Sequence, residues 1–460
     1  MAQRSGLTRG DRRRNSKIEL LRAVVGSDRA ILAIDLGEDR QVAVLLGHDG
    51  RVLGRKVLKE KAHALGGLLA WAGGLSGRHG FAGVVVGCEP TGHRWRAVMQ
   101  LADEAGMGFV CVQSLRVHLA READDYTRDK TDHKDAVLIG KLIARLDCYL
   151  PERAEQDWAR LRHLGQRRFR LVGEVIACRN QIEDLLSCCW PAALECAAKP
   201  LDSTTWLACL AVTADRCNGD PAKLRRLGRD RFVAAVRREL PRFGARRVCH
   251  KIVDRWFAAL TDNRGVSAQR RGALERVSML IDDWRSALSR RLQVETRMTD
   301  VLDGLGLTAL VTSIPGVSAV GAAVILAETG DPSRFATARS VVKHAGLNPA
   351  ENTSATFRGR TRVSHRGRPA LRAAAWRAVW GALPHNRVLG ARFTHLTTRE
   401  GDRLTPGQAR VACAATLLRW LYAIVTRRQP WNPDRATGNR PTTNQPTGIR
   451  AGQAGDAAAA

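Results

Sequence analysis

The chain has 460 residues, of which 74 are Lys or Arg and 45 Asp or Glu, a formal charge of +29 at pH 7. With 44% hydrophobic residues it can bury sizeable cores, which excludes a wholly disordered polyelectrolyte and makes two to four domains the natural count. The charge excess calls for a polyanionic partner, with phosphate neutralisation and counterion release supplying affinity that ignores sequence.

Residues 1–27 read as a basic, polar arm around Arg12, Arg13 and Arg14. No apolar segment ahead of a small-residue cleavage site is seen, so no signal peptide is expected. No uninterrupted apolar run reaches the roughly 18 residues of a membrane span, and the 11 cysteines form no CxxC pair. These features place the chain in a reducing bacterial cytoplasm, with no membrane partner.

Three β-like runs follow, at residues 30–36, 41–46 and 52–58, punctuated by Gly37, Gly47 and the Asp49-Gly50 pair. Asp-Gly between two apolar runs is a hairpin signal. A helix over 60–77, a strand at 83–86, a helix from Gly92 to about Ala105, a strand at 108–112 and a helix from Lys134 to about Leu146 complete the region. This order predicts a mixed sheet with helices packed on it, over residues 28–150, in the sequence of an RNase H-like fold.

Residues 151–300 read as long helices. Leu161, Leu164, Phe169, Leu171, Val175 and Ile182 keep helical spacing, as do Leu274, Val277, Leu280, Ile281, Trp284, Leu288, Leu292 and Val294. That pattern fits a coiled coil or helical hairpin, either dimerising or packing on its own domain. Residues 301–428 form a mostly helical C-terminal domain. The tail from 429 to 460, rich in Thr, Asn, Pro, Gly and Ala, is expected to be disordered.

The acids are placed where chemistry would need them. Asp35 ends the first strand and Glu89 the fourth, while Asp132 and Asp135 open a helix three residues apart, on one face. Strand ends on one sheet edge bring distant carboxylates together, and an oxygen-rich set of this kind selects Mg²⁺ or Mn²⁺. Two such ions could clamp the attacking and leaving oxygens of a phosphodiester. Each acid also has a plainer reading, as a turn residue or a helix cap.

Nearer the C-terminus, residues 310–326 read as helix, Pro315-Gly316 hairpin, helix, a pattern that offers backbone N–H groups to a phosphate. Ser354 and Ser364 then stand among Arg358, Arg360, Arg362, Arg366 and Arg368. Arginine forks suit phosphate oxygens. On chemistry alone the Ser354 hydroxyl either binds a phosphate or attacks one.

The segments around Asp35 (AIDLG), Glu89 (CEPTG) and Asp132/Asp135 (KTDHKDA) resemble the DEDD tetrad of bacterial insertion-sequence transposases whose N-terminal domain is RuvC-like and whose targeting uses a bridge RNA. SIPGVSAVGAAVILAETGDPSRF and HAGLNPAENTSATFRGRTRVSHRGRPALR resemble that family's C-terminal transposase domain, and the likeness spans about residues 28–425. It implies that the four carboxylates hold Mg²⁺ and that Ser354 forms a covalent 5′-phosphoserine link to DNA. It also implies donor and target DNA and a structured guide RNA as partners, a homodimer or homotetramer as the working unit, and the middle helices as a coiled coil. Ala355 stands where the family usually has glycine, and His365 where it often has lysine. Thr353 is a second hydroxyl beside the nucleophile.

Two other functions use the same residues. A metal-only junction resolvase or nuclease would activate water, leaving Ser354 as a phosphate ligand and giving no protein–DNA adduct. A non-catalytic nucleic-acid-binding protein would leave the acids without a role.

Overall fold

The computed structural model describes residues 6–125, 131–153, 155–217, 220–350 and 362–437, which divide into two compact units, Met1–Arg153 and Ala154–Ala460.

The first unit opens with helix α1 (Arg9–Val24), which makes up most of the basic arm. Thr8 and Asp11 form a capping box at its start, and Leu21 is buried with Val25, just beyond its end, in the core of the unit. Strands β1 (Arg29–Leu36), β2 (Gln41–Leu46) and β3 (Val52–Leu58) follow as a meander. Helix α2 (Gly66–Arg78), strand β4 (Gly83–Cys88), helix α3 (Arg94–Glu104) and strand β5 (Gly108–Cys111) come next, then helices α4 (Ser114–Asp125) and α5 (Asp132–Ala144). The strand order is β3-β2-β1-β4-β5; β1–β2 and β2–β3 are antiparallel, whereas β1–β4 and β4–β5 are parallel. This is the mixed RNase H-like sheet that the residue pattern predicts.

Both faces of the sheet are covered. Ala30, Leu32, Ile34 and Val86 pack with Leu65, Leu68 and Val98 on one side, while Ile31, Ala33, Val44 and Val85 pack with Ala136, Ile139 and Ile143 on the other. That double burial explains why β1 and β2 read as continuous apolar runs rather than alternating ones. The edge strand β3 is mostly exposed and carries Arg55 and Lys56, and a register shift at Leu45/Leu46 interrupts its pairing with β2. At the opposite edge, Cys111 exchanges two backbone hydrogen bonds, each 2.9 Å, with Tyr149.

The second unit is built on two long antiparallel-packed helices, α6 (Gln156–Cys189) and α11 (Ser267–Gly304). Between them in sequence lies a helical insert of α7 (Thr204–Arg216), α8 (Ala222–Arg225), α9 (Arg229–Glu239) and α10 (His250–Ala259). Its core centres on Trp256, which meets Trp190 and Trp206 edge-on at ring-centroid distances of 5.2 and 5.5 Å. The indole N–H groups of Trp190, Trp206 and Trp256 donate to Ala259 O, Ala193 O and Thr213 Oγ1, which offsets the cost of burying them.

The remainder comprises α12 (Thr308–Thr312), α13 (Ala319–Thr329), α14 (Ala338–His344), the short pair β6 (Pro349–Ala350) and β7 (Arg362–Val363), α15 (Pro369–Ala382), α16 (Arg387–Thr398), α17 (Pro406–Arg427) and α18 (Pro433–Thr437). Helix α17 is long and apolar enough to cross a membrane. It instead serves as a core helix, with Cys413, Ala414, Leu417 and Leu418 wholly buried. The order continues past residue 429: Trp431 packs against Trp420 with the rings tilted and their centroids 5.4 Å apart, and it donates its backbone N–H to Ser313 Oγ at 2.8 Å.

Candidate catalytic edge and serine-loop stem

Parallel pairing of β1 with β4 puts Ile34 opposite Cys88, so Asp35 and Glu89 occupy the next register position on one edge of the sheet. Both are half-buried. The thiol of Cys88, one residue before Glu89, is fully buried, and its pKa is pushed well above the usual value. A hydrogen bond with Cys111 contributes most, then burial, with the charges of Glu89 and Asp35 adding to it.

Helix α5 brings the other two acids. It lies against the sheet because two glycines let it approach: a Cβ on Gly140 would overlap Leu46 Cδ1, and one on Gly87 would overlap Ile143 Cδ1. Thr131 caps its start by accepting the Lys134 N–H at 3.2 Å. Asp132 accepts from Arg40 Nε at 3.0 Å and Nη2 at 2.8 Å, and Arg40 stands in the turn leaving β1. That pair fixes Asp132 at the edge where Asp35 and Glu89 lie. Asp135 is different. It is 5% exposed, and both its oxygens are held by Arg121 of α4, at 2.8 and 2.7 Å.

Three of the four acids thus stand at one edge, and the fourth lies in the protein interior with its charge already matched. Among the described residues no three Asp, Glu, His or Cys side chains are gathered tightly enough to hold a metal ion. The donor set itself, all hard carboxylate oxygen, fits a divalent cation. Arg40 and Arg121 supply the positive charge that would otherwise be missing. Neither arginine is marked by the residue pattern: Arg40 lies 92 positions from Asp132, and no local spacing links the pair.

In the second unit the predicted helical hairpin is present as α12, a tight turn and α13. Gly316 has φ +79°, and a Cβ there would stand 2.8 Å from Ala382 Cα and overlap Gly381 O. The turn is therefore seated on the end of α15, which accounts for the glycine by close packing. Ser318 caps α13 through the Gly321 N–H at 3.1 Å. A groove of about 190 Å³ runs beside this turn, lined in part by Arg168 and Arg377.

Ser354, Arg358 and Arg360 lie outside the described residues, between β6 and β7. The stem that carries them is described. Ser364 donates its hydroxyl to Asn348 Oδ1 at 2.8 Å and its backbone N–H to Asn348 O at 2.9 Å. His365, at φ +51°, donates to Gly346 O, and Arg368 donates to His344 O. Arg372 Nη1 ties both strands of the stem by donating to Ala345 O at 3.1 Å and His365 O at 3.3 Å. Gly346 and Gly367 cross in contact, and a Cβ on Gly367 would stand 2.8 Å from Ala345 C and overlap Gly346 N and His344 O.

Of the residues expected to touch nucleic acid, Arg362 and Arg366 are exposed. Ser364 serves the stem, and Arg368 pairs with the buried Glu328 at 3.1 Å. His344 sits beside this pair. Burial, followed by Arg334, Arg368 and Arg162, lowers its pKa from 6.5 to about 4. A base whose folded pKa is depressed takes up protons on unfolding, so stability falls as pH drops from about 6.5 towards about 4. Thermal melts across that window are expected to show the decline, and His344→Gln should flatten it. An equal decline in the variant would remove His344 as its source.

Both regions match known families. Residues 32–191 match the IS110-type DEDD transposase domain, and residues 308–394 match the transposase domain of the IS116/IS110/IS902 family. A 43.6 kDa protein of insertion element IS110 from Streptomyces coelicolor is 31% identical over 264 residues, covering 56% of this chain and 62% of that relative. A 44.8 kDa protein of insertion element IS116 from Streptomyces clavuligerus is 25% identical over 422 residues, covering 88% of this chain and 97% of the relative. Asp35, Glu89, Asp132 and Asp135 fall inside the first match, and the hairpin and serine-loop stem inside the second. The chain therefore carries, in order along its length, regions similar to both transposase domains of the IS110/IS116 insertion elements.

Proposed function

We propose that the chain is a DNA strand-exchange enzyme that cuts and rejoins the ends of an insertion sequence. The observation that carries the reading is the placement of Asp35, Glu89 and Asp132 at one edge of an RNase H-like sheet, inside a DEDD transposase match. Asp35, Glu89 and Asp132 would hold a divalent cation, Mg²⁺ by ligand type, with Asp135 joining when Arg121 releases it. Such an ion polarises a phosphoryl oxygen and offsets charge developing at phosphorus.

The nucleophile in this reading is Ser354. Its Oγ attacks phosphorus, the bond to the 3′ oxygen breaks, and a 5′-phosphoserine link and a free 3′ hydroxyl result. One phosphodiester replaces another, so no external energy source is needed for rejoining. The stem formed by Gly346, Asn348, Ser364, Gly367 and Arg372 holds the loop's two ends, and Arg362 and Arg366 supply exposed guanidinium groups for the DNA backbone. DNA of donor and target, a structured guide RNA and a dimer or tetramer complete the proposal. The family likeness supports these partners.

Covalent trapping tests the nucleophile. Protein, Mg²⁺, the RNA transcribed from the element's own flanks and labelled junction DNA are mixed, quenched in detergent and run on a denaturing gel. A protease-sensitive, slow-migrating DNA band is expected, and Ser354→Ala should remove it. Cleaved DNA with no adduct in either protein would instead make the chain a metal-dependent nuclease using water.

A further inference from the structure

The helical insert carries a marked charge imbalance. Between residues 222 and 255 the sequence places twelve Lys or Arg against three Asp or Glu. All three acids are already engaged: Asp254 and Asp230 with Arg229, the first at 2.8 Å, and Glu239 with Arg242 at 2.7 Å. Arg226, Arg231, Arg237, Arg238, Arg246 and Arg247 are all exposed, and none has an ion pair among the described residues.

Their placement is not scattered. Helix α9 buries Phe232, Val233, Ala235 and Val236, which turns Arg231, Ala234, Arg237 and Arg238 outward. The chain then folds back on the helix end, where Ala245 N–H donates to Leu240 O, and so delivers Arg246 and Arg247 next to the last turn of α9. The negative end of the helix favours cations there. That favours a cation at the helix end, but it does not account for Arg226 and Arg231, nor for four guanidinium groups gathered there. Gathered cations repel one another and weaken the fold, a cost that a polyanion would reverse.

We infer that this face of the insert docks the phosphate backbone of duplex DNA flanking the site of strand exchange. The inference rests on the proposed DNA substrate but not on any step of the chemistry. Duplex is favoured over single strands because the face lacks a stacking platform: Trp206, Trp256 and Phe232 are buried, and the Phe257 and Phe243 rings are covered by Arg225 and Arg285. Guanidinium groups on a helix and a loop, outnumbering the paired acids Asp230 and Glu239 beside them, match a line of phosphates and read no sequence.

The test uses the full chain and fluorescence anisotropy with a labelled DNA duplex of arbitrary sequence, titrated over a range of salt. Changing the six arginines to Gln is expected to lower the slope of log affinity against log salt by about 0.9 for each phosphate no longer neutralised, equally for unrelated duplex sequences. If the sixfold variant does not melt cooperatively, two triple variants divide the set, Arg226/Arg231/Arg237 and Arg238/Arg246/Arg247, and each should lower the slope in part. An unchanged slope overturns the inference, as does a loss seen for an RNA duplex with the DNA duplex unaffected. Absence of a covalent adduct with the wild-type protein, the slope still being sensitive to these arginines, would instead sink the catalytic reading and leave the docking face standing.

Discussion

Asp35→Asn should cut DNA cleavage by about a thousandfold while leaving DNA affinity and melting temperature near wild type. The substitution keeps shape and removes one negative charge from a half-buried strand end beside Glu89. A thousandfold loss corresponds to about 4 kcal/mol of transition-state stabilisation at 1.36 kcal/mol per tenfold, the scale expected when a cation loses one of its anionic ligands. Asp135 provides the contrast. Its carboxylate is matched by Arg121, whose side chain is only 18% exposed, so Asp135→Ala strands a guanidinium in the interior. Breaking such a pair is expected to cost about 3 kcal/mol of stability, besides any loss of cleavage. Cleavage rates and thermal melts on the two variants separate the roles. Unimpaired cleavage by Asp35→Asn would remove the edge acids from the chemistry.

Gly367→Ala carries a large expected structural penalty for a single methyl group. The added Cβ meets backbone atoms of His344, Ala345 and Gly346, none of which can rotate away as a side-chain tip could. Overpacking against fixed neighbours costs about 3 kcal/mol, and here it would part the two strands of the stem. Adduct formation should fall with the melting temperature, whereas Gly66→Ala, where a Cβ meets nothing, should leave both unchanged. A Gly367→Ala protein of wild-type stability and activity would mean that the stem tolerates separation.

The elements with simple periodicity are the ones legible in the residue pattern. Strands β1 to β5 appear in order because Gly37, Gly47 and Asp49-Gly50 punctuate apolar runs, and the edge position of Asp35 and Glu89 follows from strand order alone. Helix α4 escapes that pattern, since Leu115, Val117 and Leu119 alternate with other residues and two of the three are exposed. The partners that decide what each acid can do are also hidden. Arg40 and Arg121 pair with acids 92 and 14 positions away, and Arg372 acts on backbone carbonyls 7 and 27 positions away, which no local spacing records. Pro-Gly at the hairpin suggests a phosphate contact at Gly316, whereas the φ of that residue and its seat on Gly381 give it a packing role that the dipeptide does not disclose.

The margins of the sheet constrain how copies of this protein could fuse or clump. A strand that ends a sheet invites a foreign strand to zip onto it. Here one margin is β3, whose lysine and arginine would be forced against an incoming backbone and whose irregular pairing with β2 disturbs the straight ladder such growth requires. The other margin is capped at Cys111 by Tyr149 of the same chain. Amyloid-like stacking and strand-swapped dimers are therefore disfavoured in the first unit, even though β1, β2 and β4 are among its most apolar segments.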